Sequence, residues 1–250
     1  NAVSLNSAVM TGSRVLGPAA AGALVVAFGY GWPFVIDGLS YVAVIAGLVM
    51  MRPGELNRAE PAPRQPGQVR DGLRYLHNTP ELFVPMVMMT IIGTLAFNFS
   101  VTMPLLIEGP LGGGTSSFTT LFSIVSLGSL LGALATARRA SVDGHHVVVG
   151  ATGFGLSLAA LAVAPNLAAA FVVAPVLGVT SILFLTSSTA TVQLLADPVY
   201  RGRVLAIQAM VFLGSTPIGG PLVGWVVDSV GPRLAVALGA VACLGAAVYG

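Results

Sequence analysis

The chain has 250 residues, of which 55% are hydrophobic and only 8% are charged, with a formal net charge of +2. Soluble domains have roughly 25% charged residues, so the composition excludes a soluble globular protein and predicts a membrane protein without a nucleic-acid partner. Lysine is absent, which excludes a P-loop and Schiff-base chemistry, and we expect neither an enzyme nor a cofactor-binding protein.

Eight apolar runs are long enough to cross a membrane, which takes about 20 mainly apolar residues in a helix. They predict an all-α, polytopic membrane protein. In chain order we label them spans a to h: 4–28, 33–51, 82–107, 117–137, 146–164, 168–195, 203–227 and 233–250.

Span a carries a charge near its middle, Arg14, followed on the same helix face by Gly17, Pro18 and Gly22. A charge at this depth usually faces a bundle interior or a water-filled cavity. Arg14 therefore either contacts substrate or tunes a nearby carboxylate, or is a structural cation capped by backbone carbonyls. The small residues allow a close helix contact, and Pro18 bends the helix.

Spans b and c each contain one candidate polar residue for a transport path. Asp37 is the only carboxylate within span b; it carries a coupling proton if burial raises its pKa, or stays ionised at the interface, which its place near the outer end favours. Asn98 of span c, like Asn6, Gln193 and Gln208, either contacts substrate or joins helices by hydrogen bonds.

The connections alternate in arginine content. Loops b–c, d–e and f–g carry nine arginines, whereas the loops on the other side carry only Arg233. The positive-inside rule places the arginine-rich loops, and with them both ends of the chain, in the cytoplasm. Loop b–c, 52–81, is a polar, proline-rich linker that ends in an amphipathic helix with Leu73, Leu76 and Tyr75 on its apolar side.

Span g repeats the glycine pattern of span a. A shift of 202 positions places Gly12, Gly17, Gly22 and Gly29 on Gly214, Gly219, Gly224 and Gly231. Six helices separate the two spans, so the copies run in the same direction, as in the parallel repeats of secondary transporters. A complete molecule then has twelve helices. We then expect residues 1–51 to be the last two helices of the first six-helix bundle, 82–250 to be the second bundle, and four further helices to precede this chain.

Two stretches resemble a known family. SLNSAVMTGSRVLGPAAAGALVVAFG, at 4–29, resembles the fifth helix of the major facilitator superfamily with its Gly-Pro antiporter motif. RDGLRYLHNTPEL, at 70–82, resembles the segment leading into the seventh helix. The whole chain is most similar, as helices five to twelve, to the drug- and siderophore-exporter branch called transmembrane secretion effectors. The loop after span d keeps the pair Arg138 and Arg139 but lacks the full acidic and basic pattern of the family.

The resemblance implies a major facilitator fold and proton-coupled efflux of amphipathic small molecules by alternating access. It also implies that the Gly17, Pro18 and Gly22 face of span a meets Gly128 and Gly132 of span d at a seam between bundles, where tight packing resists ion leak; the alternative is the ordinary small-residue packing of any membrane bundle. The partners would be a small-molecule substrate, protons, the lipid bilayer and the preceding four helices. The exclusive use of arginine as the strong base fits a GC-rich genome, and we expect a bacterial plasma membrane.

Two other functions stay open at this point. The chain could be the membrane-spanning subunit of an ATP-driven permease, although the short loops disfavour it, or a membrane protein that transports nothing. We expect no metal site, because the adjacent His145 and His146 cannot share a helix face and no other ligand cluster accompanies them. Asp228 and Arg233 flank the turn between spans g and h and are expected to pair.

Overall fold

The computed structural model describes residues 31–52, 67–137 and 144–250, together with Leu24 and Phe28. Within these ranges the chain forms nine helices and no strands. They are α1 (Gly31–Met50), α2 (Gln68–His77), α3 (Pro80–Leu95), α4 (Phe99–Glu108), α5 (Thr115–Ala137), α6 (Gly144–Ala162), α7 (Leu167–Leu195), α8 (Pro198–Val230) and α9 (Pro232–Tyr249).

Seven helical segments of the described ranges are long and apolar enough to cross a membrane. They coincide with predicted spans b to h, and α3 and α4 together form span c, Pro80–Glu108. The predicted all-α membrane fold is therefore confirmed. Apart from Leu24 and Phe28, span a lies outside the described residues, and with it Arg14, Gly17, Pro18, Gly22 and the first copy of the glycine repeat.

Local capping signals begin and end the long helices. Asn166 accepts a hydrogen bond from the Ala169 backbone N–H at 2.9 Å and begins α7. Asp197 accepts one from the Val199 N–H at 2.9 Å and begins α8. Gly231, with φ of 94°, lies between α8 and α9; this left-handed backbone suits glycine because it has no Cβ.

The six spans from α3 to α9 form one packed unit. Helix α7 lies between α5 and α6, α9 packs on α6 and α3, and α8 packs on α3. Fully buried Met89, Ile92, Phe154, Leu177 and Phe184 are among the large side chains of its core. Helix α1 has no buried residue, so the described contacts that position a site all belong to this unit.

Candidate functional site

A cleft of about 170 Å³ lies where α3, α7 and α8 meet. Most of its lining is apolar, and only two side chains carry a hydrogen-bonding group. The lining residues are Met89, Leu185, Thr189, Leu205, Gln208, Ala209 and Phe212. A mainly apolar cleft with a few fixed polar groups is the usual character of a small-molecule site, and this lining has no charged side chain.

Gln208 is the most constrained polar group of the cleft. It is 5% exposed, and its Nε2 donates a hydrogen bond to Ser188 Oγ on α7 at 3.1 Å. The bond fixes the carboxamide and joins α8 to α7 beside the cleft. The sequence alone indicates Gln208 only as one of several possible substrate contacts, because its position on the cleft depends on how α7 and α8 cross.

Four phenylalanine rings gather beside the cleft, a feature that sequence analysis missed. The Phe97 ring centroid lies 5.0 Å from that of Phe154, 5.5 Å from Phe212 and 5.9 Å from Phe99. Edge-to-face and tilted pairs at these separations attract one another beyond their buried area. Phe212 is the one ring of the cluster that lines the cleft, and its contact with Phe97 connects the cleft wall to the other rings.

The span formed by α3 and α4 is broken beside this cluster. Helix α3 ends at Leu95 and α4 begins at Phe99, with the predicted site residue Asn98 in the break. Asn98 is 2% exposed, and its Nδ2 donates to the Thr94 carbonyl at 2.7 Å. This bond satisfies a backbone carbonyl that the break would otherwise leave free. The buried Oδ1 has no hydrogen-bond partner among the described residues.

A stripe of polar residues four positions apart leads through the break. Each side chain bonds to the carbonyl of the residue four positions earlier: Thr90 to Met86 at 2.9 Å, Thr94 to Thr90 at 2.7 Å, Asn98 to Thr94, and Thr102 to Asn98 at 3.1 Å. Such bonds compete with the helical ladder and bend helices. The four-residue spacing was visible in the sequence and could have indicated this face.

Helix α8 lies directly against the broken span. A Cβ placed on Gly219 would overlap the Thr94 carbonyl oxygen and lie 2.9 Å from Asn98 Nδ2. One placed on Gly93 would lie 2.9 Å from Ser215 Oγ. The absence of side chains at these two positions therefore brings the backbones of α3 and α8 into contact at the level of Asn98.

Asp37 is, with Asn98, one of the two described residues of the predicted path for substrate or coupling ion. It lies on α1 and is exposed. Its backbone carbonyl accepts a hydrogen bond from Ser40 Oγ at 2.7 Å, while its carboxylate makes no hydrogen bond or ion pair within the described residues. The structure therefore does not join Asp37 to Asn98. In the same ranges no group of three or more histidine, cysteine, aspartate or glutamate side chains could hold a metal ion.

Gly128 and Gly132 pack against α7. A Cβ on Gly128 would overlap the Pro175 carbonyl, and one on Gly132 would lie 2.9 Å from Val179 Cα. A hydrogen bond between the same two helices accompanies this contact, in which Ser129 Oγ of α5 donates to the Gly178 carbonyl of α7 at 3.1 Å. The described partner of these glycines is thus within the six-helix unit. Their predicted partner face on span a lies outside the described residues, so that seam stays a prediction.

Asp228 and Arg233, expected to pair across the turn after α8, form no ion pair. Arg233 Nη1 instead donates to the Ala162 carbonyl at the end of α6, at 3.1 Å. Arg233 is the second residue of α9, and its hydrogen bond ties the start of α9 to the end of α6 rather than to Asp228. The pairing prediction is therefore wrong.

Comparison with known proteins agrees with this architecture. A family model described as transmembrane secretion effector matches residues 1–250. The crystal structure of a bacterial homolog to the human lysosomal transporter Spinster, in an inward-facing and unoccupied conformation, is similar with a TM-score of 0.53 and 15% identity. The similarity covers 96% of this chain and 65% of that transporter, and at this identity it shows the fold alone. No curated protein matches the chain. With a family model matched along its whole length, the chain belongs to the transmembrane secretion effectors of the major facilitator superfamily.

Proposed function

We propose that the chain belongs to a secondary active transporter that moves amphipathic small molecules out of the cell by alternating access, driven by protons. The observation that carries the proposal is the uncharged cleft between α3, α7 and α8, lined by Phe212, Gln208 and apolar side chains. Family membership supports transport, and the resemblance to drug and siderophore exporters supports outward movement.

The chemistry of the cleft defines the part of a substrate that it would hold. A volume of about 170 Å³ accommodates one ring system rather than a whole drug-sized molecule. Phe212 would pack on the face of that ring, and Gln208 would hydrogen-bond to a polar substituent. The rest of the binding site would then come from the first six-helix bundle across the centre of the molecule.

We place the bundle boundaries as the sequence predicts: 1–51 for the last two helices of the first bundle, 52–81 for the linker and 82–250 for the second bundle. The only charged residues in the interiors of the spans are Arg14 and Asp37, and both belong to residues 1–51. We therefore assign the coupling proton to that side of the molecule and the uncharged substrate contacts to the second bundle. The Gly17, Pro18 and Gly22 face would seal the seam against ion leak.

Filling the cleft tests the proposal. Ala209 lines the cleft and is exposed on that side, so Ala209→Trp adds bulk there without entering the core. The next residue, Met210, is 66% exposed and does not line the cleft, which makes Met210→Trp the matched control. Proteoliposomes with an imposed pH gradient would be assayed with ethidium and with neutral Nile red.

We expect gradient-dependent dye movement with the parent protein and with Met210→Trp, and its loss, by at least about tenfold, with Ala209→Trp at equal protein incorporation. Equal transport by both tryptophan variants would remove the cleft from the path. Transport that persists after the pH gradient is collapsed would refute proton coupling. In that assay, Asp37→Asn reports whether its carboxylate carries the proton.

A further inference from the structure

The short helix α2 is docked on the first turns of α8. Gly72 and Leu76 are the buried residues of α2. A Cβ on Gly72 would lie 3.2 Å from Ile207 Cδ1 and 3.3 Å from Arg203 Cβ, so the two helices cross closely here. Leu73, which the sequence groups with Leu76 and Tyr75 on the apolar side, is 48% exposed, because the side docked on α8 is centred on Gly72 and Leu76.

Aromatic and hydrogen-bond contacts fix the rotation of α2 about its axis. The Tyr75 and Tyr200 rings stack with centroids 4.3 Å apart and planes 5° apart. Tyr75 Oη accepts a hydrogen bond from the Asp197 backbone N–H at 3.0 Å. The Arg203 guanidinium lies 5.4 Å from the centroid of the Tyr200 ring, within the range of a cation–π contact. The face that α2 turns outward is therefore defined.

That outward face has two adjacent strips of different chemistry. At 100° per residue, Val69 and Leu73 lie next to the docked side, and both are exposed, at 60% and 48%. The exposed cations Arg70 and Arg74 follow beyond them, and Asp71 lies farther round. Neither guanidinium forms an ion pair with a described residue, and like charges four positions apart on a helix repel one another.

Helix α2 packs on α8 where the apolar run of α8 begins. Gly72 of α2 packs against Arg203 and Ile207 of α8. Arg203 is the last charged residue of α8 before the apolar run that reaches to Asp228. An exposed apolar strip beside a strip of arginines, on a helix docked at the start of an apolar run, matches the composition of helices that lie in a membrane interface. The charge pattern of the loops predicts this interface to be cytoplasmic.

We propose that α2 is a lipid-binding helix, in which Arg70 and Arg74 bind the phosphate of an anionic phospholipid headgroup while Val69 and Leu73 contact its acyl chains. One phosphate between the two guanidiniums would remove their repulsion and accept hydrogen bonds from both. Arginine side chains are long enough to reach lipid headgroups while their aliphatic stems lie against an apolar surface. Bound lipid would hold α2 and, through the Tyr75–Tyr200 stack, the start of α8.

A binding assay with purified protein and fluorescent NBD-phosphatidylglycerol in mixed micelles tests the proposal. The variant is Arg70→Gln/Arg74→Gln, and the matched control is Arg58→Gln/Arg64→Gln, which removes the same charge from the same loop. We expect affinity to fall by roughly fivefold for each guanidinium lost from α2, and so by roughly 25-fold for the pair. The control variant should bind as the parent does.

Two further measurements distinguish binding of a whole anionic phospholipid from binding of its phosphate group alone. Leu73→Ser should weaken binding by roughly tenfold, because its side chain no longer contacts acyl chains. Unlabelled phosphatidylglycerol should compete, whereas glycerol phosphate and phosphatidylcholine at the same concentration should not. Equal affinity of the two double-arginine variants overturns the proposal, as does competition by glycerol phosphate, which would show a site for free phosphate anions. An unchanged melting temperature of Arg70→Gln/Arg74→Gln excludes unfolding as the cause of a loss.

Discussion

The contact between α8 and the broken span predicts a large difference between two neighbouring alanine substitutions. A methyl group at Gly219 would overlap the Thr94 carbonyl oxygen, which belongs to backbone and cannot move aside easily. At Gly220, one residue along the same helix, nothing lies within 4 Å of an added Cβ. The two variants therefore share the same chemical change and differ only in their surroundings.

The magnitude follows from two opposing terms. Alanine is about 1 kcal/mol more favourable than glycine within a helix, and this gain applies at both positions. Overpacking against backbone costs about 1–3 kcal/mol and applies only at Gly219. We therefore expect Gly220→Ala to be neutral or slightly stabilising. The melting temperature of Gly219→Ala should be lower than that of Gly220→Ala by about 2–4 °C for each kcal/mol of overpacking cost at Gly219.

The single cysteine of the chain provides the assay. Cys243 is 0% exposed in the core of the six-helix unit, so a thiol-reactive fluorogenic dye labels it only on unfolding, and the labelling curve gives the melting temperature in detergent. Equal melting temperatures of the two variants would refute the close approach of α8 to Thr94. That result would also contradict the close backbone contact between α3 and α8 at the level of Asn98.

Three further substitutions test other contacts. Tyr75→Phe should remove the hydrogen bond from the Asp197 N–H while keeping the ring stack, at a cost of about 1 kcal/mol, and hydrogen exchange of α2 should rise; unchanged exchange would contradict the docked position. Arg233→Gln should lose the charged hydrogen bond to the Ala162 carbonyl and lower the free energy of unfolding by about 1.5–3 kcal/mol, and an unchanged melting temperature would show that this contact is absent. Gly178→Ala should lower the melting temperature as Gly219→Ala does, because its methyl group would overlap the α5 backbone.

The sequence was sufficient for the helices but not for the break in span c. The apolar runs have the length and composition of membrane spans, and seven of them coincide with described helices. In lipid a chain segment must satisfy its own backbone hydrogen bonds, and a helix does so within the segment. The break at Ala96–Asn98 contains neither proline nor glycine, the usual local signals of a kink. It depends instead on side-chain bonds to backbone and on the approach of Gly219, which lies far away in the sequence.

The partners of the small residues were also beyond local pattern. Gly128 and Gly132 form a spacing that favours close helix contacts, but the spacing does not say which helix fills the groove, and the described partner is α7. On α2, the helical pattern groups Leu73 with Leu76 on one apolar side, but only the packing on α8 shows that Leu76 is buried while Leu73 is 48% exposed.

The distribution of glycine explains why a cleft forms where it does. Glycines join α5 to α7 backbone against backbone, through Gly128, Gly132 and Gly178, and Gly219 joins α8 to α3 in the same way. Between these two close pairs, α7 and α8 face each other and α3 through larger side chains, among them Leu185 and Phe212. Large side chains keep helix axes apart, and the space that remains is the cleft.

It follows that the cleft lies between two closely packed helix pairs rather than within one. A backbone contact with no intervening side chain has little freedom to slide, because any shift produces overlap. A contact through flexible leucine, methionine and phenylalanine side chains can repack. The Gln208–Ser188 hydrogen bond is the one polar link described between α7 and α8 at the cleft. In the proposed transport cycle, a change in cleft width would therefore move the α3–α8 pair against the α5–α7 pair, and this bond is the contact that such a movement would have to stretch or break.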